Sequence, residues 1–230
     1  MIIYGKQVSL YVLNLHKDLV ERVYLSKRKR QVLPKELYLR YRKNIKFIEN
    51  RVAQQMARGG NHQGVLVEVE EFKQSSLKDL KRENFLLILD SLTDTGNIGA
   101  IIRSAYTLGV DGVIACGVKS LNFASIARTS SGAIFDLPFM VTPNILDVLN
   151  ELKQVDFTIY GASMEGVNLE SCKFKNRKAL ILGSEGEGIS KRARSKIDKM
   201  VSIEMRRDFN SLNVSVSAGI LIYRMRDGFK

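Results

Sequence analysis

Three short segments hold residues whose types and spacing suit the binding of a ligand. Residues 97–103 read NIGAIIR, residues 182–190 read LGSEGEGIS, and residues 211–219 read SLNVSVSAG. Each segment joins glycine or small polar residues to an apolar run. Glycine lets a backbone approach a bound molecule closely, and polar groups in apolar surroundings need hydrogen-bond partners. The three segments are therefore candidate walls of a binding site.

The first segment runs from a glycine-containing turn into a predicted helix. Gly96 and Gly99 permit close backbone approach, and we expect Asn97 to cap the helix. Arg103 then lies about a turn and a half along it. A capped helix with Arg103 on its solvated face explains the segment equally well. The third glycine of a dinucleotide-binding fingerprint is missing, so a nicotinamide-dependent oxidoreductase is a weaker alternative.

The second segment places three glycines within six residues behind an apolar run. Its backbone amides can face a ligand, but Glu185 and Glu187 would repel a phosphate. The acidic side chains suit a neutral or cationic ligand, or pairing with an arginine. A purely structural glycine turn is the alternative.

The third segment opens an otherwise apolar helix with small polar side chains, among them Ser211 and Asn213. Such groups are costly in a core unless they find partners, so they can hold a ligand or another part of the chain. A buried helix cap with small residues for close packing is the alternative.

The elements that position these segments alternate regularly from residue 84 onward. Continuous apolar strands followed by helices indicate a three-layer α/β domain with a mostly parallel sheet. Ligands bind such sheets beyond the carboxyl ends of the strands, where the three segments fall. Strands are predicted at residues 85–90, 112–116, 138–141, 157–160, 179–182 and 201–205, and helices at residues 98–108, 145–153 and 212–226.

The first part of the chain is a separate region of short mixed elements. Strands are predicted at residues 19–26, 45–48 and 64–72, and helices at residues 4–15, 36–42 and 51–58. The polar residues 73–83 read as a linker. We therefore expect one domain at residues 1–72 and a second at residues 84–230.

The net charge of +12 indicates a polyanionic partner. Residues 1–83 hold 18 Lys and Arg against 9 Asp and Glu, whereas residues 84–230 hold 18 against 15. Nucleic-acid binding by the first domain explains this asymmetry, and a basic surface kept for solubility is the alternative.

Other features of the composition favour an ordinary cytoplasmic protein. Apolar residues make up 45% of the 230 residues, and no apolar run approaches the roughly 20 residues of a membrane span. Cys116 and Cys172 lack the short spacing of a zinc site and make no disulfide framework, so we expect no metal.

Taken together, the three segments resemble a known family. The order N-x-G-x-x-x-R, L-G-S-E-G-x-G and S-L-N-V-S is similar to that of the SpoU (TrmH-like) RNA 2′-O-ribose methyltransferases of the SPOUT superfamily. The resemblance covers residues 84–230. It extends weakly to the first domain, where residues 4–6 (YGK) and 62–65 (HQGV) look like the family's N-terminal extension.

The resemblance implies a fold and a cofactor. The second domain would be a SPOUT domain whose carboxyl part forms a deep trefoil knot, and the first would be a small, ribosomal-protein-like α/β domain that binds RNA. S-adenosylmethionine would sit in the knot. Contacts with it are implied for Gly183, Ile203 and Leu212, with Leu182 and Met205 nearby.

The resemblance also implies the catalytic residues. Arg103 has the central role, but an arginine stays protonated and is a poor base, so we expect it to clamp phosphate or ribose and to stabilise developing alkoxide. Asn97 would orient the ribose or Arg103, and Glu185 would pair with an arginine. Ser211 and Asn213 would hold the substrate and the knot loops.

One departure from the family affects the cofactor site. The family usually has Ile-Pro-Met before its Ser-Leu-Asn motif, whereas this chain has Glu204 in place of the proline. Residues 206–210 (RRDFN) also replace the usual glycine-containing turn. A rigid turn beside the cofactor is thereby loosened.

The expected activity is S-adenosylmethionine-dependent 2′-O-methylation of RNA by a homodimer. Ribosomal RNA, and guanosine in 23S rRNA in particular, is the expected substrate. Methylation of transfer RNA and a non-catalytic, ribosome-associated RNA-binding role are the alternatives. The apolar residues of the last helix are expected to form the dimer interface.

Overall fold

The computed structural model describes residues 1–27, 32–207 and 211–226, which group into two compact units. The first unit comprises residues 1–73 and 122–135, and the second comprises residues 74–121 and 136–230. Residues 122–135 interrupt the sequence of the α/β domain, and the sequence had not separated them from it.

The first unit is built on a mixed four-stranded sheet with the order β1-β4-β2-β3. Only the β2–β3 pair is parallel. The strands are β1 (Ile2–Tyr4), β2 (Val20–Ser26), β3 (Ile45–Ile48) and β4 (Val65–Val69), and the helices are α1 (Lys6–Leu15), α2 (Lys35–Tyr41), α3 (Asn50–Met56) and α6 (Phe123–Thr129). Helix α6 packs against β1 and α1. The predicted helix at residues 4–15 was wrong at its start, where Ile2–Tyr4 pairs with β4 as a strand.

The second unit is a six-stranded parallel sheet with the order β10-β8-β9-β5-β6-β7, which confirms the predicted α/β class. The strands are β5 (Phe85–Asp90), β6 (Gly112–Cys116), β7 (Phe139–Thr142), β8 (Thr158–Asn168), β9 (Lys178–Gly183) and β10 (Lys199–Ser202), and the helices are α4 (Leu77–Leu80), α5 (Thr95–Leu108), α7 (Ile145–Lys153), α8 (Lys191–Arg194) and α9 (Val214–Met225). The trefoil knot stays a prediction.

Burial on both faces explains why the central strands are apolar throughout. All six residues of β5 and all five of β6 are buried. Helix α7 and Leu80 of α4 cover one face, on which Leu86 and Ile88 lie. The other face is covered by α9, which packs against β9 and α5. Residues 73–83 are therefore more than a linker, because they supply a buried core residue.

The described ranges contain no helix that is both long and apolar enough to cross a membrane.

Candidate active site

A cavity of about 550 Å³ opens beside the ends of β9 and β10 and the unpaired middle of β8. Its wall consists of these parts of the strands, the loop after β9 and the start of α9. Eight of the ten predicted site residues line it: Leu182, Gly183, Glu185, Ile203, Met205, Ser211, Leu212 and Asn213. The parallel sheet thus brings together two segments that lie far apart in sequence, because the carboxyl ends of its strands share one edge.

The glycine loop, residues 183–190, folds tightly back onto its own strand. A Cβ atom on Gly183 would lie 2.0 Å from the carbonyl carbon of Gly188 and 2.2 Å from the nitrogen of Ile189. Gly188 adopts a φ of +67° and donates its N–H to the carbonyl of Ser184 at 2.9 Å. Gly183 is therefore required by the backbone of the loop itself. It also lines the cavity, and its contact with a ligand stays a prediction.

Asp90 anchors the far end of this loop, a role that sequence reasoning missed. The side chain is 2% exposed, and its Oδ2 accepts the N–H of Ser190 at 2.8 Å. Its Oδ1 accepts the hydroxyl of Ser91 at 3.2 Å. Burial, with a smaller effect of the Asp90 carboxylate, raises the pKa of the neighbouring Cys116 thiol to about 12. A carboxylate ending an otherwise apolar strand was the available signal.

Asn97, Glu185 and Asn213 form an amide–carboxylate cluster at the mouth of the cavity. Glu185 Oε1 accepts Nδ2–H from Asn97 at 3.0 Å and from Asn213 at 3.1 Å. The Asn213 amide also donates to Asn97 Oδ1 at 3.0 Å. The amides of the two asparagines are the partners of Glu185 among the described residues, and the expected pairing with an arginine stays a prediction.

Two side chains fix the ends of the helices that carry this cluster. Asp94, not Asn97, caps α5: its Oδ1 accepts the N–H of Asn97 at 2.7 Å. Asn213 caps α9 through its Oδ1, which accepts the N–H of Ser215 at 2.9 Å. Since Asp94 satisfies the helix end, the side chain of Asn97 remains available to bridge the other two loops.

Arg103 lies on α5 outside the cavity. Its side chain is exposed, and among the described residues its guanidinium has no hydrogen-bond or ion-pair partner. Tyr106, one turn further along the same helix, is 44% exposed. The structure thus brings nine of the ten predicted residues to the cavity or to the cluster at its mouth and leaves Arg103 on an adjoining surface.

Comparison with known families identifies the chain. A sequence model of the SpoU rRNA Methylase family matches residues 84–223. A model for RNA 2′-O ribose methyltransferase substrate binding matches residues 2–75. The chain belongs to the SpoU rRNA methylase family.

Individual relatives agree with this assignment, and a solved structure shows the same fold. The chain is 33% identical to the 23S rRNA (guanosine-2′-O-)-methyltransferase RlmB of Pasteurella multocida over 97% of its length and 96% of that protein. It is 35% identical to the enzyme of the same name from Neisseria meningitidis over 74% of the chain and 71% of that protein. The fold is that of the SpoU methyltransferase AviRb from Streptomyces viridochromogenes, solved with AdoMet, with a TM-score of 0.78, 24% identity, and coverage of 98% of this chain and 88% of that one.

Glu204, where the family resemblance led us to expect a proline, has a hydrogen-bond partner in the structure. Glu204 Oε2 accepts Nδ2–H from Asn168, the last residue of β8, at 2.6 Å. This hydrogen bond joins the segment after β10 to the end of β8, and the expected loosening of the turn stays a prediction. Residues 208–210 of the same departure lie outside the described residues.

Sequence reasoning missed part of the cavity wall. Ser163, Met164 and Glu165 line it because β8 continues to Asn168, well beyond the predicted end at residue 160. Arg194 also lines it, and its Nε donates to the carbonyl of Ile189 at 3.1 Å. Residues 162–166 bulge out between two paired stretches of β8, so their local pattern is not that of a strand.

Proposed function

We propose that this protein transfers a methyl group from S-adenosylmethionine to the ribose 2′-hydroxyl of a guanosine in 23S rRNA. The observation that carries the proposal is the amide–carboxylate cluster, which joins all three family segments at the mouth of the cavity. The RlmB relatives support the ribosomal substrate. Ribosomal RNA also makes the cytoplasm the proposed site of action.

The cavity fits the proposed cofactor in size and in chemistry. Its volume of about 550 Å³ lies within the roughly 300–1,000 Å³ typical of small-molecule sites. Apolar walls from Leu182, Ile203 and Leu212 suit an adenine ring, and the exposed carboxylate of Glu165 suits the cationic groups of the molecule. We propose Gly183 and Met205 as further contacts of the same ligand.

The chain must supply a means of removing the hydroxyl proton. Bound S-adenosylmethionine would supply an electrophilic methyl group on a sulfonium and leave as a neutral thioether. Both histidines of the chain, His16 and His62, precede residue 74, so the second unit has no imidazole base. Glu185 is the proposed acceptor, because both asparagines bind its Oε1 and its Oε2 has no partner among the described residues.

The remaining site residues are proposed to hold the ribose and its phosphate. Ser211 lies at the cavity rim beside the cluster and can donate to a ribose oxygen. Asn97 and Asn213 keep Glu185 oriented, so that the O–H bond breaks toward Oε2 as the new O–CH₃ bond forms. Arg103 is proposed as the clamp on the negatively charged substrate, not as a base.

The first unit is proposed to bind the RNA. Residues 2–75 match the family's substrate-binding model, and residues 1–73 carry 15 basic against 7 acidic side chains. A basic domain that recruits a polyanion raises the rate of encounter and the affinity without needing to read sequence. We therefore retain residues 1–72 as the proposed RNA-binding domain and residues 84–230 as the proposed methyltransferase domain.

We propose that the working unit is a homodimer joined through α5 and α9. Three apolar side chains of α9 follow helical spacing and are 51%, 39% and 46% exposed: Val216, Ile220 and Tyr223. Tyr106 of α5, the helix that packs against α9, is exposed as well. Four large exposed apolar groups on adjoining helices are typical of an interface. Arg103 lies three residues before Tyr106 on the same face of α5. In the proposed dimer its side chain would therefore lie beside the partner subunit.

The proposed function is tested by a Glu185→Gln variant. Gln keeps an oxygen that accepts from both asparagines but turns the free carboxylate oxygen into a donor. Methyl transfer from labelled S-adenosylmethionine to 23S rRNA should fall at least about 10²-fold, while cofactor affinity stays within a factor of about two. Nucleoside mass spectrometry of the wild-type product should find 2′-O-methylguanosine. If transfer RNA is the only methylated substrate, the assignment to ribosomal RNA is overturned. If neither RNA is methylated, the proposed methyltransferase activity is overturned.

A further inference from the structure

A second, smaller cavity lies within the first unit and is not part of the active site. It has a volume of about 240 Å³ and is lined by Gly5, Gln7, Gln63, Arg128, Thr129 and Ser131, among others. All of these residues belong to the first unit, although three of them come from the segment at residues 122–135. We call it the Arg128 cleft.

Two sequence motifs of unassigned role, YGK and HQGV, build one side of this cleft. Gln63 Oε1 accepts the N–H of Lys6 at 2.8 Å and so ties the two motifs together. His62 is buried and accepts the N–H of Gly64 through Nδ1 at 3.0 Å, which fixes the turn from which Gln63 projects. Because the oxygen of the Gln63 amide is engaged, its two N–H donors are left for another molecule.

The turn at Gln63 is held in an uncommon backbone conformation. Gln63 has a φ of +53° and Gly5, opposite it, has a φ of +108°. Gly60 is also constrained, since a Cβ there would lie 2.4 Å from Cε2 of the Tyr4 ring. Non-glycine residues with positive φ are rare and are maintained where surrounding contacts impose them. The geometry of the cleft is therefore specified by several local contacts.

The charge of the cleft is positive and unopposed. Arg128 is exposed, and its guanidinium lies 5.6 Å from the centre of the Tyr4 ring. In the described part of the chain it has no ion-pair partner, and no carboxylate lines the cleft. An arginine above an aromatic ring keeps its planar donors directed outward, the arrangement that suits a phosphate group.

We infer that the Arg128 cleft binds one phosphodiester group and the attached ribose of single-stranded RNA. Arg128 pairs with the phosphate, and the Gln63 amide and the Ser131 hydroxyl are placed to bind the phosphate or ribose oxygens. A volume of about 240 Å³ admits this fragment but lies below the roughly 300–1,000 Å³ of sites that enclose a whole small molecule. The inference rests on the proposed function in one respect, that the protein acts on RNA.

The test measures binding of a short, fluorescein-labelled single-stranded RNA of mixed sequence to the full chain by anisotropy, over a series of salt concentrations. Arg128→Gln should weaken binding about tenfold. The slope of log affinity against log salt should become shallower by about 0.7, the value for one phosphate contact on a single strand. Gln7→Trp fills the cleft without changing the charge and should weaken binding to a similar degree.

A double variant separates the cleft from general surface charge. If both changes remove the same contact, Arg128→Gln combined with Gln7→Trp should weaken binding no more than either change alone. The matched control is Arg51→Gln, which removes an exposed arginine of the first unit outside the cleft. Its effect should add to that of Gln7→Trp. All variants alter exposed side chains, so their melting temperatures should equal that of the wild type.

The outcomes distinguish the cleft from the proposed catalysis. Additive effects of Arg128→Gln and Gln7→Trp, or no effect of Gln7→Trp, would overturn the cleft. If Arg128→Gln abolishes binding of inorganic phosphate but leaves RNA binding unchanged, the cleft is a site for free phosphate, and the proposed RNA site is overturned. If the wild type transfers methyl groups but the cleft variants bind RNA as tightly as the wild type does, only the proposed cleft is overturned. Cleft-dependent RNA binding without any methyl transfer supports the cleft and overturns the proposed activity alone.

Discussion

The glycine loop offers the most direct test of how the candidate active site is built. Replacing Gly183 by alanine adds one methyl group, which would lie 2.0, 2.2 and 2.3 Å from three backbone atoms of Gly188 and Ile189. Neither neighbour can rotate away as a side chain would, so the loop must move. Ordinary contact begins near 3.4 Å, which requires a shift of more than about 1 Å.

Such a shift disconnects the loop from the cluster. The hydrogen bonds from Asn97 and Asn213 to Glu185 measure 3.0 and 3.1 Å, and lengthening them by about 1 Å takes them out of range. Overpacking costs about 1–3 kcal/mol, and the loss of exposed hydrogen bonds adds about 1 kcal/mol. The free energy of unfolding should therefore fall by about 2–4 kcal/mol, which for a chain of this length lowers the melting temperature by about 5–15 °C.

Gly186→Ala is the matched control in the same loop. A Cβ at Gly186 would meet nothing within 4 Å, and its φ is not in the left-handed region. Alanine there should leave stability unchanged or raise it by up to about 1 kcal/mol. Calorimetric titration with S-adenosylmethionine should show affinity reduced at least about tenfold for Gly183→Ala and unchanged for Gly186→Ala. Equal melting temperatures and equal affinities for the two variants would refute the assigned role of Gly183.

Three further predictions concern other parts of the second unit. Arg103→Ala should reduce single-turnover methyl transfer at least about 10²-fold with little change in cofactor affinity or melting temperature, and Arg103→Lys should restore little, because an ammonium cannot replace the planar fork; near-wild-type transfer would exclude the clamp. Ile220→Asp should lower the sedimentation mass of the proposed dimer to that of one 26.0 kDa chain, since an unpaired charge in an apolar interface is costly; a wild-type mass of one chain would contradict the dimer. Burial raises the pKa of the Cys116 thiol to about 12, so Cys116 should resist alkylation at neutral pH until the protein is unfolded. Because folding stabilises the neutral thiol, the stability that it contributes should persist below about pH 9 and decline toward pH 12. Rapid labelling of Cys116 in the folded protein, mapped by peptide mass spectrometry, would contradict this.

Much of the second unit could be predicted because its signals are local. The strands Phe85–Asp90 and Gly112–Cys116 are buried on both faces, so every residue is apolar or small until the last positions, and the predicted bounds are confirmed. The α/β class followed from this pattern. The three family segments were also recognisable, because glycine and small polar residues at strand ends are unusual in an apolar sequence.

Other features depend on contacts between distant parts of the chain. The cluster joins residues that are 88 and 116 positions apart, and no local pattern shows that the amides of Asn97 and Asn213 meet one carboxylate oxygen. Asp94, not Asn97, caps α5, and the sequence did not distinguish them because Asp and Asn are both good caps. Glu165 lines the cavity because β8 continues past its bulge and pairs again with β10.

The sequence by itself determined the fold class, the charged first region and the family segments, because hydrophobic periodicity, net charge and spacing are properties of neighbouring residues. Only the tertiary structure decided that residues 122–135 belong with the first unit, that Asp90 fastens the glycine loop and that Gly183 is needed by the backbone of that loop. Each of these depends on atoms brought together by chain segments that are distant in sequence or folded tightly back on themselves. A buried hydrogen bond or a backbone contact leaves little mark on the local pattern of either partner.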